Sequence, residues 1–172
     1  MTSRGMLMTA LVAALLVACA PRPSPRPTPG PVLPTAAEIV AEVRAAGRIG
    51  AELAVAPLID PHVKDLRLRA EAAEAAGQIE QARVELDKAL QVTPDAPDLL
   101  QWQAELALLR GEPAEAEALA RRSIALGPKS GPLCRRNWTL LMFLRKARDE
   151  AENVASAQAM LERCTIAPPV RM

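Results

Sequence analysis

Aromatic side chains are scarce in this sequence of 172 residues, which has no tyrosine, one phenylalanine and two tryptophans. Alanine, leucine, glutamate and arginine dominate instead. This composition favours helices and is poor for strands, so an all-α fold is expected. The single histidine, His62, follows Pro61 at a predicted helix start and has no base, nucleophile or metal motif around it. We therefore do not expect an enzyme, and no metal or cofactor is expected either.

The sequence also lacks a net charge that would select a partner. It has 21 basic and 20 acidic side chains. When Arg4 is removed with the N-terminal segment described next, the two signs are equal in number at 20 each. Binding to nucleic acid or to anionic lipid through bulk electrostatic attraction is therefore not expected.

Residues 1–18 have the three parts of a secretory signal peptide. Arg4 supplies a positive start, residues 6–17 form an apolar run too short to span a bilayer, and Ala18 is a small residue before the cleavage position. The segment ends in Leu16-Val17-Ala18-Cys19. The sequence therefore predicts export and removal of residues 1–18.

The tetrapeptide that ends in Cys19 resembles the lipobox of bacterial lipoproteins. The resemblance implies that Cys19 becomes the first residue of the mature protein and carries acyl chains, which give stable membrane attachment. Ala20, where an aspartate would retain the protein at the inner membrane, implies the inner leaflet of the outer membrane, facing the periplasm. The alternative is an ordinary secretory signal with a chance cysteine.

The segment after the cysteine is rich in proline. Seven prolines lie between Ala20 and Pro34, with almost no apolar residues among them. Such a segment cannot pack and samples extended polyproline conformations. Residues 19–34 are therefore interpreted as the acylated cysteine and a spacer of roughly 45 Å, at about 3.1 Å per residue. Proline-rich segments also serve as ligands for aromatic grooves, but no binding role is assigned here.

Residues 35–62 are predicted to precede the main domain as an N-terminal cap. Thr35 and Glu38 form a capping box ahead of an apolar stripe, and the helix is expected to end near Gly47. Residues 53–58 are expected to be extended. The pair Asp60-Pro61 then suits a helix start, because aspartate caps the helix and proline is tolerated at its first position.

From residue 63 the sequence repeats with a period of 34. Gly77 and Gly111, Ala82 and Ala116, and Pro94 and Pro128 each stand 34 residues apart. This period is typical of stacked units, and the pattern resembles the tetratricopeptide repeat (TPR), whose units are antiparallel helix pairs. The resemblance implies a short TPR-like helical solenoid over residues 63–164, with units 63–96, 97–130 and 131–164 and a tail of residues 165–172.

The third unit is degenerate, because it lacks the glycine and the final proline, and its register is uncertain by one residue. Cys134 begins its first predicted helix and Cys164 ends its second. These ends are neighbours in an antiparallel hairpin, and export places the chain where disulfides persist, so a Cys134–Cys164 bridge is predicted. Two free buried thiols are the alternative. Trp138 is interpreted as a core residue in preference to a binding anchor.

The TPR resemblance further implies that a peptide or protein partner binds the concave face formed by the first helix of each pair. Family members that clamp a carboxylate use lysine, asparagine and arginine there, but Glu71 and Trp102 stand where asparagine would be expected, so a standard clamp is doubtful. The candidate partner-binding residues are Arg67, Glu71, Gln101, Trp102, Glu105, Arg135, Arg136 and Thr139. Other positions on the same face are Lys64, Glu74, Leu108, Leu109 and Met142.

Charge is unevenly divided along the repeats. Residues 64–117 hold 12 acidic and 6 basic side chains, whereas residues 118–148 hold 8 basic and none acidic.

Together, the resemblances to bacterial lipoproteins and to the TPR imply a lipid-anchored periplasmic adaptor for envelope assembly, in a secretion or pilus channel or in the peptidoglycan machinery. The alternative is a structural module that binds peptidoglycan or anionic glycolipid through the basic half. The partner and the oligomeric state are not predicted.

Overall fold

The computed structural model describes residues 34–50 and 59–165, which belong to one compact unit, Leu33–Met172. Within these residues all regular secondary structure is helical, so the all-α prediction is confirmed. The seven helices are α1 (Ala36–Arg48), α2 (Pro61–Ala75), α3 (Ile79–Val92), α4 (Pro97–Leu109), α5 (Pro113–Leu126), α6 (Pro132–Lys146) and α7 (Ala151–Arg163).

Local sequence signals explain where the first helices begin. Thr35 and Glu38 form the predicted capping box: the Thr35 amide donates to Glu38 Oε2 at 2.7 Å, and the Glu38 amide donates to Thr35 Oγ1 at 3.3 Å. Asp60 accepts a hydrogen bond from the His62 amide at 2.7 Å, and Pro61 takes the first position of α2. His62 is exposed in the first turn, as expected.

Each predicted repeat contains one antiparallel helix pair: α2 with α3, α4 with α5, and α6 with α7. The small residues that the TPR pattern places between helices are fully buried, and because alanine has no side chain beyond Cβ, the helices approach closely there. These residues are Ala70, Ala82, Ala89, Ala104, Ala107, Ala116 and Ala120. The structure therefore has the TPR-like helical fold that the resemblance implies.

The turn inside each pair uses a residue with a positive φ. Gly77 and Gly111 adopt φ values of 74° and 78°, which glycine reaches without steric cost. In the third pair Asp149 takes this role at φ 56°. In all three turns the next amide donates to a carbonyl five residues back, for example from Glu150 to Arg145 at 3.1 Å. The third unit thus keeps the turn although it lacks the glycine.

The position of α1 differs from the prediction. Instead of capping α2 at the N-terminal end of the stack, α1 packs on α6 and α4, along the concave side of the repeats. Its apolar stripe of Ile39, Val40 and Val43 is buried in one cluster with Leu108 and Leu141. The apolar residues of α1 recur at helical spacing and so lie on one face. That face is buried by the apolar surface of α4 and α6, the first helices of the second and third repeats.

Cys134 and Cys164 are joined by a disulfide that links the start of α6 to the end of α7, with their Cα atoms 5.6 Å apart. Both residues are buried. Trp138 is half-buried and packs against the apolar cluster around α1, as expected for a core residue.

Several predictions fall on residues outside the described ranges. These are the signal peptide (1–18), Cys19 and its proline-rich linker, the extended stretch at 53–58 and the tail after Thr165. Among the helices that are described, none is both long enough and apolar enough to cross a membrane.

Candidate functional site

The concave face of the repeats is covered in part by α1, and this determines which candidate residues a partner can reach. Gln101, Glu105, Arg135 and Thr139 are buried, with exposed fractions of 0%, 0%, 3% and 4%. These four residues were predicted to bind a partner, but in this structure they are enclosed. The remaining candidates, Arg67, Glu71, Trp102 and Arg136, line a cavity together with residues of α1.

Glu105 is the centre of a charged cluster beneath α1. Its Oε2 accepts a hydrogen bond from Arg44 Nε of α1 at 2.8 Å. Its Oε1 accepts from Arg136 Nε of α6 at 2.9 Å and from Arg136 Nη2 at 2.6 Å. Gln101 Nε2 donates to the same oxygen at 3.1 Å. A fully buried carboxylate with three donor residues holds α1, α4 and α6 in register.

Glu74 and Trp102 connect this cluster to the first repeat. Glu74 Oε1 lies 2.7 Å from Arg44 Nη2, and Glu74 Oε2 accepts a hydrogen bond from Trp102 Nε1 at 2.7 Å. The Arg67 guanidinium lies over the Trp102 ring, 5.9 Å from its centroid, and also pairs with Asp98. Trp102 is therefore fixed by a hydrogen bond at its edge and a cation at its face.

These side chains surround an open cavity of about 700 Å³ on the concave side, between α1, α2, α4 and α6, which we call the concave basin. Its volume falls within the range of small-molecule pockets. Of the predicted partner-binding residues, the basin brings together Arg67, Glu71, Trp102 and Arg136. The described residues that line it are Arg44, Gly47, Arg48, Arg67, Glu71, Glu74, Ala75, Trp102, Pro132 and Arg136.

Arg135 and Arg136 differ in the direction of their side chains. The register of the third repeat, which the sequence left uncertain by one residue, decides which of the two faces the basin. Arg135 points between α1 and α7: its Nε donates to the Ala46 carbonyl at 3.0 Å and its Nη1 to the Cys164 carbonyl at 3.5 Å. Arg136 instead faces the basin. Its stem is close to Gly47, where a Cβ atom would come within 2.8 Å of Arg136 Cγ. Glycine at position 47 therefore permits the close approach of α1 to α6.

The charges in the concave basin are of two kinds. Arg44, Arg67, Arg136 and Glu74 all have partners within the protein. Arg48, at the end of α1, and Glu71, on α2, are exposed and have no partner among the described residues. One unpaired cation and one unpaired anion thus face the same cavity from different helices.

The basic half of the repeats is mostly paired with its own chain. Arg121 and Arg148 both contact Glu117, at 2.6 and 2.9 Å. Arg122 donates to the Pro94 carbonyl at 2.8 Å and Arg145 to the Asn153 carbonyl at 2.9 Å. Of the eight basic residues in 118–148, Lys146 is the one without a partner in the described part of the chain. The surplus of basic side chains read from the sequence is therefore not an unpaired basic surface.

The sequence did not identify three basin residues of α1, which are Arg44, Gly47 and Arg48, because this helix was predicted to lie elsewhere. Ala75 and Pro132 also line the basin and were not among the predicted positions. The available signal was the apolar stripe of α1, which requires a covering surface. Within the ranges that the structure describes, no group of three or more histidine, cysteine, aspartate or glutamate side chains is arranged to hold a metal ion.

No family model matches the chain, and no curated protein matches it. A search of solved structures finds the globular C-terminal domain of LpoP from P. aeruginosa, with a TM-score of 0.56 and 24% sequence identity. The match covers 61% of this chain and 99% of that domain. At this identity the likeness shows that the two share a helical, TPR-like fold.

Proposed function

We propose that this chain is a lipid-anchored adaptor of the periplasm, held at the inner leaflet of the outer membrane through Cys19, which binds a protein or peptide partner through its concave basin. It has no catalytic role in this proposal. The setting is envelope assembly, either a secretion or pilus channel or the peptidoglycan machinery. The observation that carries the proposal is the open basin of about 700 Å³ on the concave side, where TPR-like domains bind peptides.

Three features support the location. The Leu16-Val17-Ala18-Cys19 sequence resembles a lipobox, a proline-rich spacer follows it, and a disulfide joins Cys134 and Cys164, which suits an oxidising compartment. The order of a lipobox, a linker and a C-terminal globular fold also agrees with the description of the similar LpoP domain as C-terminal and globular.

The anchor is tested by changing Cys19 to serine and fractionating the cells. Wild-type protein should take up a radiolabelled fatty acid and sediment with outer membranes. The Cys19→Ser variant should lose the label, because serine has no thiol for acylation. If the variant keeps the label, or if wild-type protein is found in the soluble periplasm, the anchor proposal is wrong.

The adaptor role is tested by photo-crosslinking in intact cells. A photoreactive amino acid replaces Ala75, which is exposed at the basin, or Gln91, which is exposed on α3 outside the basin. A partner that binds the basin should give one crosslinked protein band from position 75 and none from position 91. Equal bands from both positions, or crosslinks to glycan or lipid alone, would contradict an adaptor that uses this basin.

A further inference from the structure

We infer that the concave basin binds a mixed-charge segment of its partner, with an acidic group held beside Arg48 and a basic group held beside Glu71. The inference rests on the proposed adaptor function, since it names the chemistry of the partner at the same site.

Most charges in the basin are already satisfied. Glu105 uses both oxygens on Arg44 and Arg136, and Glu74 uses both oxygens on Arg44 and Trp102. Each oxygen of these two carboxylates therefore has a donor from the chain itself. Neither carboxylate needs a partner's cation, and both neutralise arginines that would otherwise attract anions.

The acidic group of the partner is assigned to the wall formed by α1 and α6. Arg48 has no partner among the described residues, and Arg44 lies one helical turn before it on α1, so the two side chains are neighbours. Arg44 and Arg136 each donate through Nε and Nη2, which leaves Nη1 of both without an acceptor in the described part of the chain. A carboxylate beside Arg48 would thus meet additional guanidinium donors, which suit planar anions.

The basic group of the partner is assigned to the α2 wall. Glu71 is exposed there, and it has no cation within ion-pair distance among the described residues. Arg67, one turn earlier on the same helix, is engaged by Asp98 and by the Trp102 ring. A lysine or arginine of the partner would supply the positive charge that is missing beside Glu71.

Between the two walls the lining is small or apolar. Ala75, Gly47 and Pro132 line the basin without a charged group, and Trp102 contributes part of its ring at 9% exposure. A segment with small or apolar residues between its two charges would therefore fit. Charge complementarity at two fixed points also sets the direction of the bound chain, because a reversed segment would place like charges together.

The test uses the full chain in detergent micelles and four synthetic decapeptides with blocked ends and an alanine-rich background. One carries glutamate and lysine, one carries two glutamates, one carries two lysines, and one carries two glutamines. Binding is followed by isothermal calorimetry and by the NMR signals of the Arg side chains. The glutamate–lysine peptide should bind at least tenfold more tightly than the other three. Equal binding of all four peptides, or no measurable binding of the mixed one, would overturn the inference.

Charge-reversal variants locate the effect. Arg48→Glu and Glu71→Arg should each weaken binding of the mixed peptide at least tenfold and raise the affinity for the two-lysine and two-glutamate peptides respectively. The matched controls are Lys146→Glu and Glu152→Arg, which reverse exposed, unpaired charges outside the basin and should leave binding unchanged. If the controls weaken binding as much as the basin variants, the effect is not local and the inference is wrong.

The experiments distinguish failure of the mixed-charge inference from failure of the proposed adaptor function. If position 75 crosslinks to one protein in cells and Arg48→Glu does not reduce that product, the adaptor function stands and the mixed-charge inference falls. If no protein is captured in cells but the mixed peptide binds through Arg48, the binding chemistry stands and the adaptor function falls.

Discussion

Arg44 of α1 donates from Nε to Oε2 of Glu105, 61 residues later in the chain, at 2.8 Å. The pair connects the first described helix to the centre of the repeats. Because Glu105 is fully buried and Arg136 donates to its other oxygen, the same carboxylate fixes the position of α1 and shapes one wall of the concave basin.

Replacement of Glu105 by alanine should destabilise the protein strongly. The change leaves Arg44 and Arg136 without their shared partner beneath α1, and breaking a buried ion pair on one side costs about 3 kcal/mol or more. Urea unfolding followed by circular dichroism measures the loss. The control is Glu152→Ala, an exposed position on α7 without a partner, which should change stability by less than about 0.5 kcal/mol. A similar loss in both variants would contradict the role given to Glu105.

Replacement of Val43 by alanine tests whether α1 is an integral part of the fold. Val43 is fully buried against the second and third repeats, so removing two methyl groups should cost about 2 kcal/mol, including the cavity that remains. The neighbouring Glu42 is exposed, and Glu42→Ala is the matched control. If Val43→Ala unfolds at the same urea concentration as the control, α1 does not contribute to the folded core in solution.

The landmarks of the repeats could be predicted because they act locally. A proline at the first position of a helix, as at Pro61, and a glycine with positive φ, as at Gly77 and Gly111, follow from the conformations that these residues allow. Their spacing indicates stacked units, and the resemblance to the TPR implies that each unit is a helix pair.

The position of α1 could not be predicted in the same way. Its sequence shows an apolar stripe, but the surface that covers the stripe lies far along the chain, on α4 and α6. From its repeat position, Glu105 is expected to be exposed on the concave face. It is buried because α1, with Arg44, lies over it. The concave basin is therefore a tertiary feature, and only its α2, α4 and α6 walls could be inferred from repeat positions.

The capping box at the start of α1 should make stability depend on pH. The hydrogen bond from the Thr35 amide holds the pKa of Glu38 below its usual value. A lowered folded-state pKa means that the stabilisation is fully present above the unfolded pKa, roughly 4.3, and is lost as the pH falls through the lower folded value. Glu38→Gln keeps a side chain that accepts a hydrogen bond but does not titrate.

The measurement is the urea midpoint between pH 7 and pH 3. The wild-type midpoint should fall more steeply below pH 5 than that of Glu38→Gln. Parallel curves would show that Glu38 does not titrate differently in the folded and unfolded chains.

The disulfide between Cys134 and Cys164 should stabilise the third helix pair most. Ala157 is the one buried residue that α7 contributes within the described part of the chain, so its packing alone holds the helix weakly. Closing a loop of about 30 residues contributes roughly 3 kcal/mol in the chain-entropy estimate. The Cys134→Ala/Cys164→Ala variant should therefore lose a few kcal/mol of stability, and its α7 amides should exchange hydrogen faster than those of α4.

The reductant dithiothreitol provides the control for this prediction. It should lower the urea midpoint of the wild-type protein towards that of the double variant, which has no disulfide to reduce and should not respond. Two other bonds tie the same ends, because the Gly131 amide donates to the Cys164 carbonyl at 2.7 Å and Arg135 Nη1 donates to the same oxygen. If reduction leaves the midpoint unchanged and α7 exchanges slowly, these hydrogen bonds and helix packing hold the pair without the covalent link.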